Sequence, residues 1–250
     1  MSAGSRGRFK VDGGVLRAER VSIDPTEAHH MRVMRLAAGD HVVLFDGAGE
    51  EAIARLELVA SDGGAARVLE RYSPATESAI GIWLVQAVPT KLARMDLVVR
   101  QCTELGMTRL LPVIAARSQV PSGGIEVINE RRERWVRLAQ AAAKQSRRSL
   151  VPYIGKPLPL RDLDWSSLPA LRLVCDPSGR PGDLAQRLRG RTAASVALMV
   201  GPEGGWSGEE RALAEASNAA IVAFGPRVLR ADTAGAAALA VLQHAWGDLG

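Results

Sequence analysis

The sequence is poor in cysteine, in aromatic residues and in long apolar runs. Its 250 residues include two cysteines, Cys102 and Cys175, without CxxC spacing, which excludes a disulfide scaffold and predicts buried free thiols in a reducing compartment. No run approaches the roughly 18 apolar residues of a membrane helix. The first fourteen residues also lack the apolar stretch of a secretory signal. We therefore expect a cytoplasmic protein without a membrane segment.

Several common ligand motifs are also missing. The sequence has no GxxxxGK[ST] phosphate loop, no GxGxxG dinucleotide motif and no GxSxG esterase turn. It has no HExxH and no cluster of Cys and His. His29 and His30 are adjacent and would point to different sides of a helix. The sequence therefore predicts no metal site.

Positive charge is concentrated in one part of the chain. The net charge is +5, but residues 1–72 carry −1, whereas residues 117–161 carry +7. A concentrated basic stretch is typical of a protein that binds a polyanion. The alternative is a solvated helix face in an arginine-rich protein.

Residues 8–72 have the pattern of a small, partly open β-barrel. Short apolar runs alternate with Asp-Gly turn signals, and one helix is predicted from Pro25 to about Arg35 with Asp24 as its N-cap. The segment YSPAT at 72–76 ends this pattern. The sequence therefore predicts two domains, residues 1–74 and residues 75–250.

The second predicted domain is of the α/β class. Apolar strands are predicted at 79–88, 110–114, 171–175, 196–200 and 221–224. Helical patterns lie among them, at 92–105, 126–148, 182–189 and 208–217, and a last one follows at 233–246. Strands that are apolar on both faces and alternate with helices indicate a parallel sheet covered on both sides.

Three strand ends in this domain carry unusual loops. They are DPSG at 176–179, GPEGGWS at 201–207 and GPRVLRADTA at 225–234. Ligands of open parallel sheets bind beyond the carboxyl ends of the strands. One Gly-Pro turn alone would be structural, but two in successive strands, each with charged residues, favour a binding site.

These loops resemble those of the ribosomal RNA small subunit methyltransferase E family, within the SPOUT superfamily of knotted methyltransferases. The resemblance rests on the segments at 199–210 and 224–234. It extends, in the order of the chain, through HMRVMR at 30–35, RMD at 94–96, TELG at 103–106 and AAKQS at 142–146. Trp206 stands where the family usually has Phe, and Ala231-Asp232 where it usually has Thr-Glu.

The resemblance implies methylation of N3 of a uridine in 16S rRNA with S-adenosyl-L-methionine. It also implies a PUA-like N-terminal β-barrel that binds RNA, a C-terminal domain with a deep trefoil knot, and a homodimer formed through that domain. The expected partner is 16S rRNA or the 30S subunit. Two roles are open for Arg230: it stabilises negative charge on the uracil, or it pairs with Asp232 or Glu203. Glu203 is either a base or, as we prefer, a structural residue.

The resemblance further implies sets of binding residues. The residues expected at the cofactor are Leu173, Val174, Gly201, Pro202, Glu203, Gly204, Phe224, Gly225, Leu229, Arg230, Thr233 and Ala234. Those expected to contact RNA are Arg8, His30, Arg32, Arg35, Lys91, Arg94, Arg134, Lys144, Arg147 and Arg148. Two alternatives remain: a related enzyme acting on tRNA or on a ribose 2′-hydroxyl, and a non-enzymatic rRNA-binding assembly factor.

Overall fold

The structure, a computed structural model, describes residues 5–180, 182–190 and 192–250. The chain divides into two units. One consists of the chain as far as Glu77 together with Ala143–Val151, and the other of Ser78–Ala142 and Pro152–Gly250. The sequence predicts a single boundary between residues 74 and 75. In the structure, segment 143–151 also belongs to the first unit, which that prediction does not include.

The first unit contains a five-stranded curled sheet and one helix. Asp24 caps the helix, because its carboxylate accepts hydrogen bonds from the backbone N–H groups of Thr26 and Glu27. The apolar core includes Phe9, Met31 and Leu44, all fully buried. The elements are β1 (Arg8–Lys10), β2 (Arg20–Ile23), α1 (Pro25–Val33), β3 (His41–Phe45), β4 (Glu51–Val59) and β5 (Gly64–Tyr72), with strand order β1-β3-β4-β5-β2. The predicted β-rich first domain is confirmed.

Segment 143–151 is held in the first unit by ion pairs. Arg148 is 4% exposed, and its guanidinium lies 2.7 Å from the carboxylate of Glu77. The Lys144 ammonium lies 2.6 Å from the carboxylate of Glu27. Arg8 donates a hydrogen bond to the carbonyl of Arg148 at 2.6 Å. These basic side chains therefore contribute to the fold of the first unit.

The second unit is built on a seven-stranded sheet in which every strand pair is parallel. The strands are β6 (Gly81–Ala87), β7 (Met107–Ile114), β8 (Tyr153–Ile154), β9 (Leu158–Pro159), β10 (Leu171–Cys175), β11 (Ser195–Val200) and β12 (Ala220–Val222). Their order is β12-β10-β11-β6-β7-β8, and β9 also pairs with β7. The predicted α/β class with a parallel sheet is confirmed.

Side chains alternate between the two faces of this sheet, and both faces of its central strands β6 and β11 are packed. Helix α6 approaches β6 closely because Gly235 has no side chain: a Cβ there would lie 3.4 Å from Oε1 of Gln86. The opposite face packs Val85 and Met199 against Trp206. The helices are α2 (Leu92–Glu104), α3 (Gly124–Gln145), α4 (Asp183–Leu188), α5 (Gly208–Ala216) and α6 (Ala231–Trp246). Within the described ranges, none is long and apolar enough to cross a bilayer.

Candidate functional site

Three loops meet at one edge of the parallel sheet, because three neighbouring strands end there. Cys175 of β10 pairs with Val200 of β11 and with Val222 of β12, so the loops after these strands emerge side by side. They enclose a cavity of about 420 Å³, a volume typical of small-molecule sites. All three loops with unusual sequences therefore contribute to one cavity.

Trp206 is a buried residue that lines this cavity. The indole is 2% exposed, and its N–H donates to the carbonyl of Cys175 at 3.2 Å. The loop can pass close to the indole because Gly201 has no side chain: a Cβ there would lie 3.1 Å from the ring. The indole thus joins the loop after β11 to the end of β10.

Glu203 connects the glycine-rich loop to the start of α2. Its carboxylate accepts hydrogen bonds from the backbone N–H and the hydroxyl of Thr90, both at 3.2 Å, and it pairs with Arg94 at 3.0 Å. Partial burial alone would raise the pKa of Glu203. The backbone N–H groups of Glu203 and Thr90, the Thr90 hydroxyl and the charge of Arg94 outweigh that effect, so the pKa is lowered. Glu203 is therefore held as a carboxylate.

The same loop is also held from its other side, by the turn that follows β7. Arg117 donates to the carbonyl of Gly204 at 3.2 Å, and a Cβ on Gly204 would lie 3.0 Å from that of Arg117. Glu210 accepts from the backbone N–H of Ala116 at 2.7 Å and forms a capping box with Ser207 at the start of α5. Contacts on both sides fix the shape of the loop before any ligand binds.

Arg230 lies at the N-cap of α6, on the wall of the cavity, with an exposed side chain. Among the residues that the structure describes, its guanidinium forms no ion pair, either with Asp232 or with Glu203. One carboxylate oxygen of Asp232 is buried and has no hydrogen-bond partner in the described parts of the chain. The guanidinium of Arg230 thus remains available to a ligand, whereas Glu203 is engaged by Arg94.

Most of the predicted cofactor residues line the cavity. Those that do are Gly201, Pro202, Glu203, Phe224, Gly225, Leu229, Arg230 and Ala234. Leu173 and Val174 are buried within β10, Gly204 faces Arg117, and Thr233 is exposed in the first turn of α6. Additional lining residues include Cys175, Asp176, Pro177 and Val228. The DPSG motif predicted that this third loop contributes to the site. It did not predict which residues of the loop line the cavity.

The two cysteines offer no nucleophile. Burial raises the pKa of the Cys102 thiol to about 12. Burial and the nearby charge of Asp176 raise the pKa of Cys175, on the cavity wall, to about 12. Neither side chain forms a thiolate near neutral pH. In the described ranges, moreover, no group of His, Cys, Asp and Glu side chains is arranged to hold a metal ion.

The residues predicted to contact RNA fall into two groups. Arg94 and Arg134 pair with Glu203 and Asp96, while Arg8 pairs with Glu51. His30 contacts Lys144. Lys144 and Arg148 each form an ion pair with a carboxylate of the first unit. Those that are exposed and form no ion pair with a described residue are Arg32, Arg35, Lys91 and Arg147. The net charge of a stretch does not show which of its members are already neutralised.

Comparisons with known proteins agree in both sequence and fold. The family described as "RNA methyltransferase domain" matches residues 76–243, and the family described as "RNA methyltransferase PUA domain" matches residues 23–67. The "Ribosomal RNA small subunit methyltransferase E" of Mycobacterium bovis is 34% identical over 90% of this chain and 87% of that protein. The protein of the same name from Synechocystis is 33% identical over 88% of this chain and 71% of its own.

Solved structures extend this similarity to nearly the whole chain. The ribosomal RNA small subunit methyltransferase E of Neisseria gonorrhoeae, bound to S-adenosyl methionine, has a TM-score of 0.84. It is 29% identical, over 98% of this chain and 99% of its own. A putative methyltransferase from Legionella pneumophila, in complex with the same cofactor, has a TM-score of 0.83 and 30% identity, over 97% of this chain and 98% of its own.

Proposed function

The chain belongs to the ribosomal RNA small subunit methyltransferase E family, and from this membership we propose that it methylates N3 of a specific uridine in 16S rRNA, with S-adenosyl-L-methionine as methyl donor. The cavity formed by the three strand-end loops carries the proposal, together with the arginine on its wall that forms no ion pair with a described residue. The enzyme is an RNA methyltransferase acting on small-subunit rRNA. The choice of uridine N3 is the finer part of the proposal.

The cavity residues fit the proposed cofactor. An apolar wall formed by Val200, Val222 and Leu229 suits an adenine ring, and Gly201, Gly205 and Gly225 allow the backbone to approach a ligand. Whereas Gly201 lies against Trp206, a Cβ on Gly205 or Gly225 would meet no atom within 4 Å, so space remains beside these two positions. When bound, S-adenosyl-L-methionine supplies an electrophilic methyl group.

Arg230 has the chemistry needed to assist the nucleophile. Uracil N3–H is weakly acidic, and transfer of its proton to solvent places negative charge on O2 and O4. A guanidinium without an ion-pair partner among the described residues can donate hydrogen bonds to these oxygens and stabilise that charge. The backbone carbonyl of Arg230 accepts from the N–H groups of Thr233 and Ala234, which anchors the residue at the start of α6.

Glu203 serves as a positioning residue. A general base must be free to accept a proton, and its pKa should lie near the working pH. The lowered pKa and the hydrogen bonds from Thr90 and Arg94 disfavour that role. Glu203 instead fixes the glycine-rich loop, and a cavity wall that is ordered in advance favours binding of the cofactor.

We further propose that the enzyme acts in the cytoplasm as a homodimer, formed through the C-terminal domain. Val228 lies on the cavity wall and is 77% exposed in the single chain. Its exposed apolar side chain supports a second subunit that covers this side of the cavity. Leu97, on α2, is a second large apolar side chain that is 41% exposed. A partner subunit that covered these two side chains would remove their apolar surface from water.

Methylation of small-subunit rRNA in vitro tests the proposed function. The wild-type enzyme and R230A are incubated with S-adenosyl-L-methionine and either 30S subunits or protein-free 16S rRNA from a strain that lacks the enzyme. Mass mapping is expected to find one methyl group on the N3 position of one uridine, in the wild-type reaction only. A methyl group on a ribose, or no methyl group on either RNA, would refute the proposal.

A further inference from the structure

Three side chains lie in a row on one face of the parallel sheet. Trp83 of β6 pairs in register with Arg109 of β7, which pairs in register with Tyr153 of β8. The carbon at the centre of the Arg109 guanidinium lies 4.4 Å from the centre of the Trp83 ring and 5.4 Å from the centre of the Tyr153 ring. The three residues come from distant parts of the sequence, so only the fold brings them together.

Two members of the row are exposed, and one of them carries a positive charge. Tyr153 is 51% exposed and Arg109 is also exposed, whereas Trp83 is half-buried against the core. Within the described ranges, Arg109 forms no ion pair with a carboxylate. Aromatic residues make up 4% of this sequence, and this row places two of them beside an arginine that forms no ion pair with a described residue.

We propose that this row, defined as Trp83, Arg109 and Tyr153, binds unpaired bases of the RNA substrate. Aromatic rings and guanidinium planes stack on the faces of unpaired bases, and the positive charge favours the phosphate backbone. A double helix buries its base faces and cannot use such a surface. This proposal rests on the proposed function in one respect only, namely that the substrate is RNA.

The row lies apart from the cofactor cavity. Trp83 is four residues before the end of β6 at Ala87, which places it roughly 13 Å from that edge of the sheet. The bases it binds would therefore be other than the methylated one. The row would add affinity and would hold a single-stranded part of the substrate.

Binding of short RNAs to the full-length protein without methyl donor tests the row. The probes are a fluorescent 12-nucleotide oligouridine and an RNA duplex of the same length, at one salt concentration. We expect Tyr153→Ala to weaken binding of the single strand about fivefold or more, and to leave duplex binding unchanged. Tyr153→Phe, which keeps the ring, should bind within about twofold of the wild type.

Two controls separate stacking from charge and folding. Arg109→Ala should weaken single-strand binding more than Arg100→Ala, which removes the same charge from an exposed side chain on α2 that forms no ion pair with a described residue. Ultraviolet crosslinking of the wild type should attach oligouridine to the peptide of Trp83 or Tyr153, even if a variant fails to fold. Wild-type affinity in a folded Tyr153→Ala variant, or crosslinks that miss both peptides, would overturn the proposal. Failure of methyl transfer would leave these results unchanged, because no methyl donor is present.

Discussion

Replacing Glu203 by Gln separates a positioning role from a catalytic one. The carboxylate accepts two hydrogen bonds from Thr90 and pairs with Arg94. A hydrogen bond to a charged group contributes about 1.5–3 kcal/mol, and an exposed ion pair contributes about 0–1 kcal/mol. The side chain of Glu203 is 31% exposed, so we estimate a loss of about 1–2 kcal/mol in the free energy that holds the loop.

That loss should appear in cofactor affinity, because the cofactor must then order the loop itself. We expect the Kd for S-adenosyl-L-methionine, measured by calorimetry, to rise about 5- to 30-fold, whereas kcat at saturating cofactor changes little. The matched control is Glu209→Gln, which alters an exposed carboxylate in the first turn of α5 and should bind the cofactor as the wild type does.

A catalytic base would give the opposite pattern. Loss of a general base lowers kcat about 10²- to 10⁴-fold and leaves cofactor affinity intact, a result that would refute the positioning role. The pH dependence provides a second check. Because the folded pKa is lowered from 4.5, the carboxylate stabilises the wild type at pH values above about 4.5 and ceases to do so as pH falls through the lower folded pKa. The difference in stability between the wild type and Glu203→Gln should therefore disappear at acid pH.

Three further variants, the last with a matched control, test other parts of the structure. Arg230→Ala should lower kcat about 10²- to 10³-fold without changing Tm, because no ion pair with a described residue is lost; normal turnover would exclude the proposed role. Gly201→Ala places a Cβ 3.1 Å from the Trp206 indole and should cost about 1–3 kcal/mol of stability in urea unfolding. Arg148→Ala leaves the Glu77 carboxylate without its buried partner and should cost about 3 kcal/mol, whereas the exposed Arg147→Ala should change stability by less than about 0.5 kcal/mol. Equal losses for the two arginine variants would contradict the buried pair.

Regular elements with clear periodicity could be predicted from the sequence. Strand β10 has the predicted bounds, Leu171–Cys175, because an apolar run between Pro and Asp leaves little ambiguity. Strands β8 and β9 contain two residues each, which is too short for any period to appear. The edge pairing that brings Tyr153 beside Arg109 was therefore invisible in the sequence.

The site was predictable where loops carry unusual motifs, and less so where partners are distant in the chain. The strand-end loops indicated the cavity, because glycine and proline at the ends of buried strands are informative. The partners of the basic residues were not indicated. Arg8, Lys144 and Arg148 pair with Glu51, Glu27 and Glu77, which lie 43 to 117 positions away. Local charge therefore overstated the basic surface available to RNA.

The return of segment 143–151 to the first unit affects how the protein is made. On the ribosome, residues as far as Glu77 emerge 74 residues before Val151, a delay of about 4–15 s at ordinary rates of synthesis. During that interval Arg148 is not yet present to pair with Glu77, and the first unit lacks part of its own structure. The N-terminal domain therefore cannot finish folding first, and a fragment ending at Glu77 would omit residues that the unit needs.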